Sequence, residues 1–226
     1  MLREWAEGIW LAEAPLRFYG LPFGTRMTVI RLRDGSLLLH SPISLDPPLR
    51  DEIDALGPVR HVVSPNKLHH LYLAQAHEAF PDAKIYAPPG LARKRPGLHF
   101  DAELEDAEPD AWHGELEQLI VRGSRVIQEV VFLHSASRTL IVADLCEHFG
   151  GHSPLLTRIA ARLSRMYDRP RMPPDMQLTF RDRPTTRASF EGLLAWDFDR
   201  VILAHGKLLE SGAKALFRSE YAWALA

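Results

Sequence analysis

The chain has 226 residues, of which 46% are hydrophobic and 25% charged, the balance of an ordinary soluble globular protein. A formal net charge of −2 gives no general reason to expect nucleic acid or a membrane surface as partner, and a single cysteine, Cys146, excludes an internal disulfide. No signal peptide is apparent, and no apolar run approaches a membrane span. We therefore expect one cytoplasmic domain over residues 1–226.

The N-terminal half predicts a β-hairpin followed by a strand–helix–strand unit. Gly, Pro and aromatic residues between 15 and 24 predict a loop, and Arg33 to Ser36 supplies a hairpin turn. A strand–helix–strand order implies some parallel pairing. The predicted elements are strands 8–12, 27–32 and 36–40, a helix 47–56, a strand 59–64, a helix 66–80 and a strand 84–87.

The sequence from residue 91 onward predicts four more strands and four helices, the first of them short. Residues 91–95 are expected to form a short helix and 103–110 an acidic loop, while prolines break the pattern between 169 and 183. No linker is long or polar enough to divide the chain. The remaining predicted elements are strands 116–121, 128–133, 139–143 and 200–204 and helices 155–166, 188–195 and 212–223.

Four apolar strands each end near a residue that can bind a metal. His69 and His70 follow the strand 59–64, and His134, Asp144 and His205 follow the three later ones. Ligand sites in sheets flanked by helices gather at strand ends, so we expect these side chains to converge.

This order of elements resembles the metallo-β-lactamase superfamily. The signature of that family, His-x-His-x-Asp-His, follows a strand and enters a helix, and residues 65–70 stand in its register as Pro-Asn-Lys-Leu-His-His. His134 matches a later His of the family, Asp144 an Asp that closes an apolar strand, and His205 a final His-Gly. The resemblance covers Gly8 to His205. It implies an α/β fold, a four-layer αβ/βα sandwich with a metal site at one edge of two packed sheets.

The departures from the signature are as informative as the matches. Pro65 and Lys67 stand where the family has its first two histidines, and His69 stands at its Asp. The resemblance thus implies a divergent, uncharacterised branch that holds one divalent ion or none. Its ligand set would be His69, His70, Asp144 and His205, with His134 as a remaining ligand or helper. These donors suit zinc, iron or manganese and do not choose among them; zinc is the expected ion, with iron and manganese as alternatives.

The resemblance further implies a hydrolase that attacks a small ester, thioester, lactone or phosphoester with a metal-activated water. Asp144 and His134 are the expected catalytic residues, and Asn66, Lys67 and His152 are the expected contacts to a small-molecule substrate, which could be anionic. Two other functions stay open, a binding protein that has lost the dinuclear site and oxygen chemistry at iron. Taken singly, the same residues also fit plainer roles: Asn66 a helix cap and His134 a turn residue bonded to Ser135 or Ser137.

Eight arginines lie between residues 157 and 187, against three aspartates. We expect a helical, arginine-rich cap insertion around 148–188 over the metal edge, where it could attract anions. A solvated helix face is the alternative. No interleaved aromatic residues argue for nucleic-acid binding.

Overall fold

A computed structural model describes residues 1–226, which form thirteen strands and eight helices. The strands are β1 (Arg3–Ala6), β2 (Ile9–Ala14), β3 (Arg17–Phe18), β4 (Leu21–Pro22), β5 (Thr25–Arg31), β6 (Leu37–His40), β7 (Val59–Val63), β8 (Lys84–Ala87), β9 (Ala102–Glu103), β10 (Leu116–Val121), β11 (Glu129–His134), β12 (Thr139–Ile141) and β13 (Arg200–Ile202). The helices are α1 (Pro47–Leu56), α2 (Leu73–Ala79), α3 (Leu91–Lys94), α4 (Leu155–Leu163), α5 (Pro174–Gln177), α6 (Arg183–Ala195), α7 (Ala213–Glu220) and α8 (Ala222–Leu225).

The strands form two main sheets and a small hairpin. The first sheet has the order β1-β2-β5-β6-β7-β8-β9, and the second has the order β10-β11-β12-β13. β3 and β4 pair only with each other, inside the segment that the sequence predicted as a loop. Parallel pairing links β6, β7 and β8 in the first sheet, and β12 and β13 in the second.

Alternation along the strands explains why the two sheets stack between helices. In β6, Leu37 and Leu39 pack with α1 and α2, while Leu38 faces the second sheet. In β11, Val131 and Leu133 pack against α6 to α8, while Phe132 points back to the first sheet. Because successive strand side chains face opposite ways, each sheet buries both faces. The result is the four-layer αβ/βα sandwich that the sequence predicted.

Two helices begin elsewhere than predicted. Residues 66–72 form turns, because the side-chain Oδ1 of Asn66 accepts from the backbone N–H of Leu68 and His69, so α2 starts only at Leu73. α6 starts at Arg183, earlier than predicted, because the Asp182 carboxylate caps its first turn. None of the helices combines the length and hydropathy that crossing a bilayer requires.

The C-terminal ends of β6, β7, β12 and β13 lie at one edge of the sandwich. There the backbone N–H of Val130 donates to the carbonyl of Pro65 across 2.8 Å and so joins the two sheets. β11 runs antiparallel to β12, with His134 opposite Thr139. Its first residue, Glu129, therefore lies at this edge, and His134 lies at the opposite end of the sheet.

We predict that Gly206, just after β13, cannot be replaced without a large loss of stability. Its φ is +92°, and a Cβ there would lie 2.0 Å from the His148 carbonyl oxygen. Gly206→Ala should lower the free energy of unfolding by about 3 kcal/mol or more in urea denaturation. Gly212→Ala is the matched control, because Gly212 has a φ of +68° with open space around it, and it should cost only about 1 kcal/mol. Equal losses in the two variants would show that the His148 contact imposes no constraint.

Candidate metal centre

Three side chains that follow different strands meet at the edge of the sandwich where β6, β7, β12 and β13 end. His69 follows β7, Asp144 follows β12 and His205 follows β13. The Nε2 atom of each imidazole lies 3.3 Å from Oδ1 of Asp144, and the three possible ligand atoms all lie within 4.8 Å of one another. The side chains are almost fully buried, so water competes little for these atoms.

The other nitrogen of each ring is held from behind. Nδ1 of His205 donates to the carbonyl of Gly24 at 2.7 Å, because a carbonyl can only accept. Nδ1 of His69 lies 2.6 Å from the Ser41 hydroxyl. Ser41 adopts a left-handed backbone (φ +57°) right after β6, which turns its side chain toward the site edge. Such outer contacts fix the ring and leave Nε2 as the atom offered to an ion.

The carboxylate of Asp144 is held by a buried chain of polar groups. The Asn66 amide nitrogen donates to Oδ2 of Asp144 at 2.9 Å and to Oε2 of Glu129 at 2.8 Å. Glu129 also accepts from the backbone N–H groups of residues 143–145. Glu129 therefore fixes both the turn that carries Asp144 and the amide that orients its carboxylate.

The electrostatics favour a bound cation. Burial opposes ionisation of Asp144, but His69 and His205 hold its pKa well below the usual range. Burial likewise opposes charge on His205, yet the hydrogen bond and the charge of Asp144 raise its pKa. Burial and the charge of Asp144 raise the pKa of Glu129. Neither carboxylate contacts a lysine or arginine, so a protonated imidazole or a metal ion must balance Asp144.

The donor set fits a divalent metal. Two imidazole nitrogens and one carboxylate oxygen match the three protein ligands of a catalytic zinc site, which keeps one position for water. A neutral His205 that donates through Nδ1 would direct its Nε2 lone pair at the carboxylate, and an ion between them relieves that repulsion.

The expectation that His134 is a ligand or catalytic residue is wrong. It lies at the far end of β11, and its Nδ1 is 2.8 Å from the Ser137 hydroxyl. The plainer interpretation, a turn residue bonded to Ser137, describes it. Matching by order along the chain could not reveal this, because strand direction decides which end of β11 meets the site.

His70 does not join the cluster either. Its ring nitrogens are not among the donor atoms that meet at the cluster. Burial, followed by the charges of Lys94 and Arg95, lowers the pKa of His70. Consecutive residues in a turn point in different directions, so only one of the two histidines can face Asp144.

The three expected substrate contacts are also placed elsewhere. Asn66 is fully buried and is occupied by Asp144 and Glu129. The Lys67 ammonium packs beside Gly90 at α3. His152 is exposed, with Nε2 3.1 Å from the His148 carbonyl, and lines no cavity at the cluster.

Sequence reasoning missed three residues that shape the site, which are Gly24, Ser41 and Glu147. For Glu129 the sequence left open a role behind the metal ligands, with an exposed strand position as the default, and the structure buries it. Ser41 and Gly24 lie after a strand and in a predicted loop, and nothing in the sequence marks them as partners of imidazoles. Glu147 is almost fully buried, lines the cavity at the cluster and has its pKa raised by burial to about 8.

An apolar cavity opens onto the cluster. Its lining residues, besides His69, Asp144, Glu147 and His205, are Leu16, Phe18, Phe23, Thr25, Pro42, Leu68, Leu71, Tyr72 and Met176. A cavity with apolar walls and a few convergent polar groups is the usual form of a small-molecule site.

Solved structures with the same architecture are metallo-β-lactamases. The chain is 14% identical to the enzyme from Hirschia baltica, with a TM-score of 0.65 over 100% of this chain and 97% of the other. It is 16% identical to one from Erythrobacter litoralis, with a TM-score of 0.66 over 96% of this chain and 93% of the other. It is 14% identical to FIM-1 from Pseudomonas aeruginosa in its mono-zinc form, with a TM-score of 0.64 over 99% of this chain and 94% of the other. The protein therefore has the metallo-β-lactamase fold.

The family itself is defined by sequence. Residues 6–183 match a family described as a domain of unknown function, DUF4336, and the chain belongs to that family. No curated protein matches the chain. A divergent branch of the fold, as the altered signature implied, agrees with both findings.

We predict that Glu147→Gln makes the folding stability of the metal-free protein less sensitive to rising pH. The folded-state pKa of about 8 lies above the ordinary 4.5, so the folded protein retains a proton that the unfolded chain releases. Wild-type stability should therefore fall as the pH rises from about 4.5 to 8. As the pH rises from 5 to 8, the free energy of unfolding of the variant should increase by about 2–4 kcal/mol relative to that of wild type, as measured by urea denaturation. Glu210→Gln, at an exposed position, should follow wild type. Parallel pH curves for wild type and Glu147→Gln would contradict the raised pKa.

Proposed function

We propose that the protein is a metal-dependent hydrolase with one divalent ion, held by His69, Asp144 and His205. The observation that carries this is the geometry of three donor atoms within 4.8 Å, with each imidazole held through its other nitrogen. Zinc is the favoured ion, given two nitrogen donors and one oxygen, and iron or manganese would also suit them.

A bound ion of this kind lowers the pKa of water to about 7 and so supplies hydroxide at neutral pH. The chain's own residues do the rest. Gly24 and Ser41 keep the imidazoles oriented, and Asn66 with Glu129 keeps Asp144 in place. Glu147, whose pKa burial raises to about 8 in the metal-free protein, faces the same cavity and is placed to give a proton to the leaving group.

The substrate in this proposal is a small ester, thioester or lactone, and the reaction takes place in the cytoplasm without nucleic acid or membrane as partner. Residues 148–188 act as the cap of the cavity. In support, Met176 of α5 lines the cavity at the cluster.

A binding protein without turnover is the second candidate. One observation favours it: Pro65 and Lys67 stand where the superfamily signature has two histidines, and the Lys67 ammonium packs at α3. A second ion would thus lack its ligands. Tight ligand binding without hydrolysis would distinguish this candidate from the first.

We predict that zinc affinity depends on the three cluster residues and on neither of the other two proposed ligands. His69→Ala and His205→Ala should each weaken zinc binding at least about 100-fold in calorimetric titration. His70→Ala and His134→Ala are the controls and should keep the wild-type affinity. Affinity should fall as the pH falls through the raised pKa of His205, because protons compete for Nε2. Equal affinity in all four variants would contradict the assigned site.

We predict ester or thioester hydrolysis by the zinc-loaded protein. Asp144→Asn should reduce kcat/KM at least about 100-fold, since it removes a charged ligand. Glu210→Gln is the matched control and should retain full activity. The tests are a panel of p-nitrophenyl esters and acyl thioesters, with protein purified without a histidine tag. No turnover on any of them, in protein that binds one zinc tightly, would reject the hydrolase and favour the binding protein.

A further inference from the structure

We propose that the molecule bound at this centre carries an unbranched acyl chain, which lies in an apolar channel between the β3–β4 hairpin and α4. The identity of the chain as an acyl group rests on the proposed function. The channel itself does not, because it depends only on the shape and chemistry of its walls.

The channel consists of two adjoining cavities. The first opens onto His69, Asp144 and His205. The second lies under α4 and is walled by the hairpin, by Phe149 and by Met166. Both cavities are lined by the same four residues, which are Phe18, Phe23, Glu147 and Met176. The two cavities therefore adjoin at these four side chains, and in this proposal a ligand with its reactive group at the cluster extends past them into the second cavity.

The walls favour a hydrocarbon over a charged group. No lysine or arginine lines either cavity, so a phosphate would find no cationic partner. Burial raises the pKa of Glu147 to about 8 in the metal-free protein, which favours its uncharged form, and the one other acidic side chain of the second cavity, Asp175, is exposed. The expected anionic substrate, and the phosphoester among the four expected classes, therefore lack support in the lining. Each methylene buried in such a channel contributes roughly 0.8 kcal/mol.

The width of the channel is set by small side chains on the inner face of α4. Thr157, Ala160, Ala161 and Ser164 line the second cavity, and Thr157 ties α4 to the hairpin by donating to the Pro22 carbonyl at 2.6 Å. Larger residues at these positions would fill the space. Because these four side chains are short, this wall of the second cavity presents no bulky obstacle to an extended chain.

Tyr19 at the hairpin tip lines the second cavity and is 92% exposed, so it gives an acyl chain apolar contact where this cavity borders solvent.

The test is a chain-length series of uncharged probes, so that Asp144 repels none of them. Primary alcohols from butanol to decanol are titrated calorimetrically into metal-free and zinc-loaded protein. We expect the affinity to rise about 3- to 4-fold per methylene until the channel is full. An affinity that does not change from butanol to decanol would overturn the proposal.

One pair of variants tests where the acyl chain lies. In Ala160→Phe the affinity should stop rising at a shorter alcohol than in wild type, because the phenyl ring fills the second cavity. Leu163→Phe is the matched control on the same helix, 82% exposed and outside the lining, and should leave the series unchanged. Circular dichroism checks that both variants fold. If Ala160→Phe folds and its series equals that of wild type, the chain does not lie under α4.

The outcome separates this proposal from the hydrolase. A length-dependent series without hydrolysis of any ester keeps the channel and rejects the proposed reaction. Hydrolysis of acetyl esters, together with a flat alcohol series, keeps the reaction and rejects the channel.

Discussion

The structure of the site depends on one buried carboxylate shared by two imidazoles. Asp144 has almost no access to water and no lysine or arginine beside it, so its charge requires a partner at Nε2 of His69 and His205. Each ring is held from the other side, by Ser41 and by Gly24. A rigid site of this kind can exchange a proton for a metal ion with little rearrangement, which is the property that a hydrolytic centre needs.

The fold brings these groups together because two sheets supply parallel strand pairs that end at the same edge. β6 and β7 deliver Ser41 and His69, and β12 and β13 deliver Asp144 and His205. The inter-sheet cluster, with Phe132 and Ile141 at its centre, fixes the distance between the sheets. The same edge places the apolar cavities beside the centre, so the proposed metal site and the proposed acyl-chain site are adjacent.

Much of the fold and part of the candidate site could be predicted from the sequence, and physical reasons explain why the rest could not. Apolar runs predicted most strands, and α1, β8 and β10 match the predicted bounds. The layer order was implied by the resemblance to the metallo-β-lactamase superfamily. His69, Asp144 and His205 were found because each follows an apolar strand. His134 and His70 were misplaced because order along the chain reveals neither strand direction nor the facing of neighbouring residues in a turn. Gly24 acts through a backbone carbonyl, which every residue type has.

The most direct test of the central claim is anomalous scattering from crystals of the protein grown with zinc, recorded on both sides of the zinc edge. The account predicts one peak within bonding distance of Nε2 of His69, Nε2 of His205 and Oδ1 of Asp144, at about 2.0–2.2 Å from each. A crystal that contains zinc only elsewhere, with His205 still paired directly to Asp144, would contradict it.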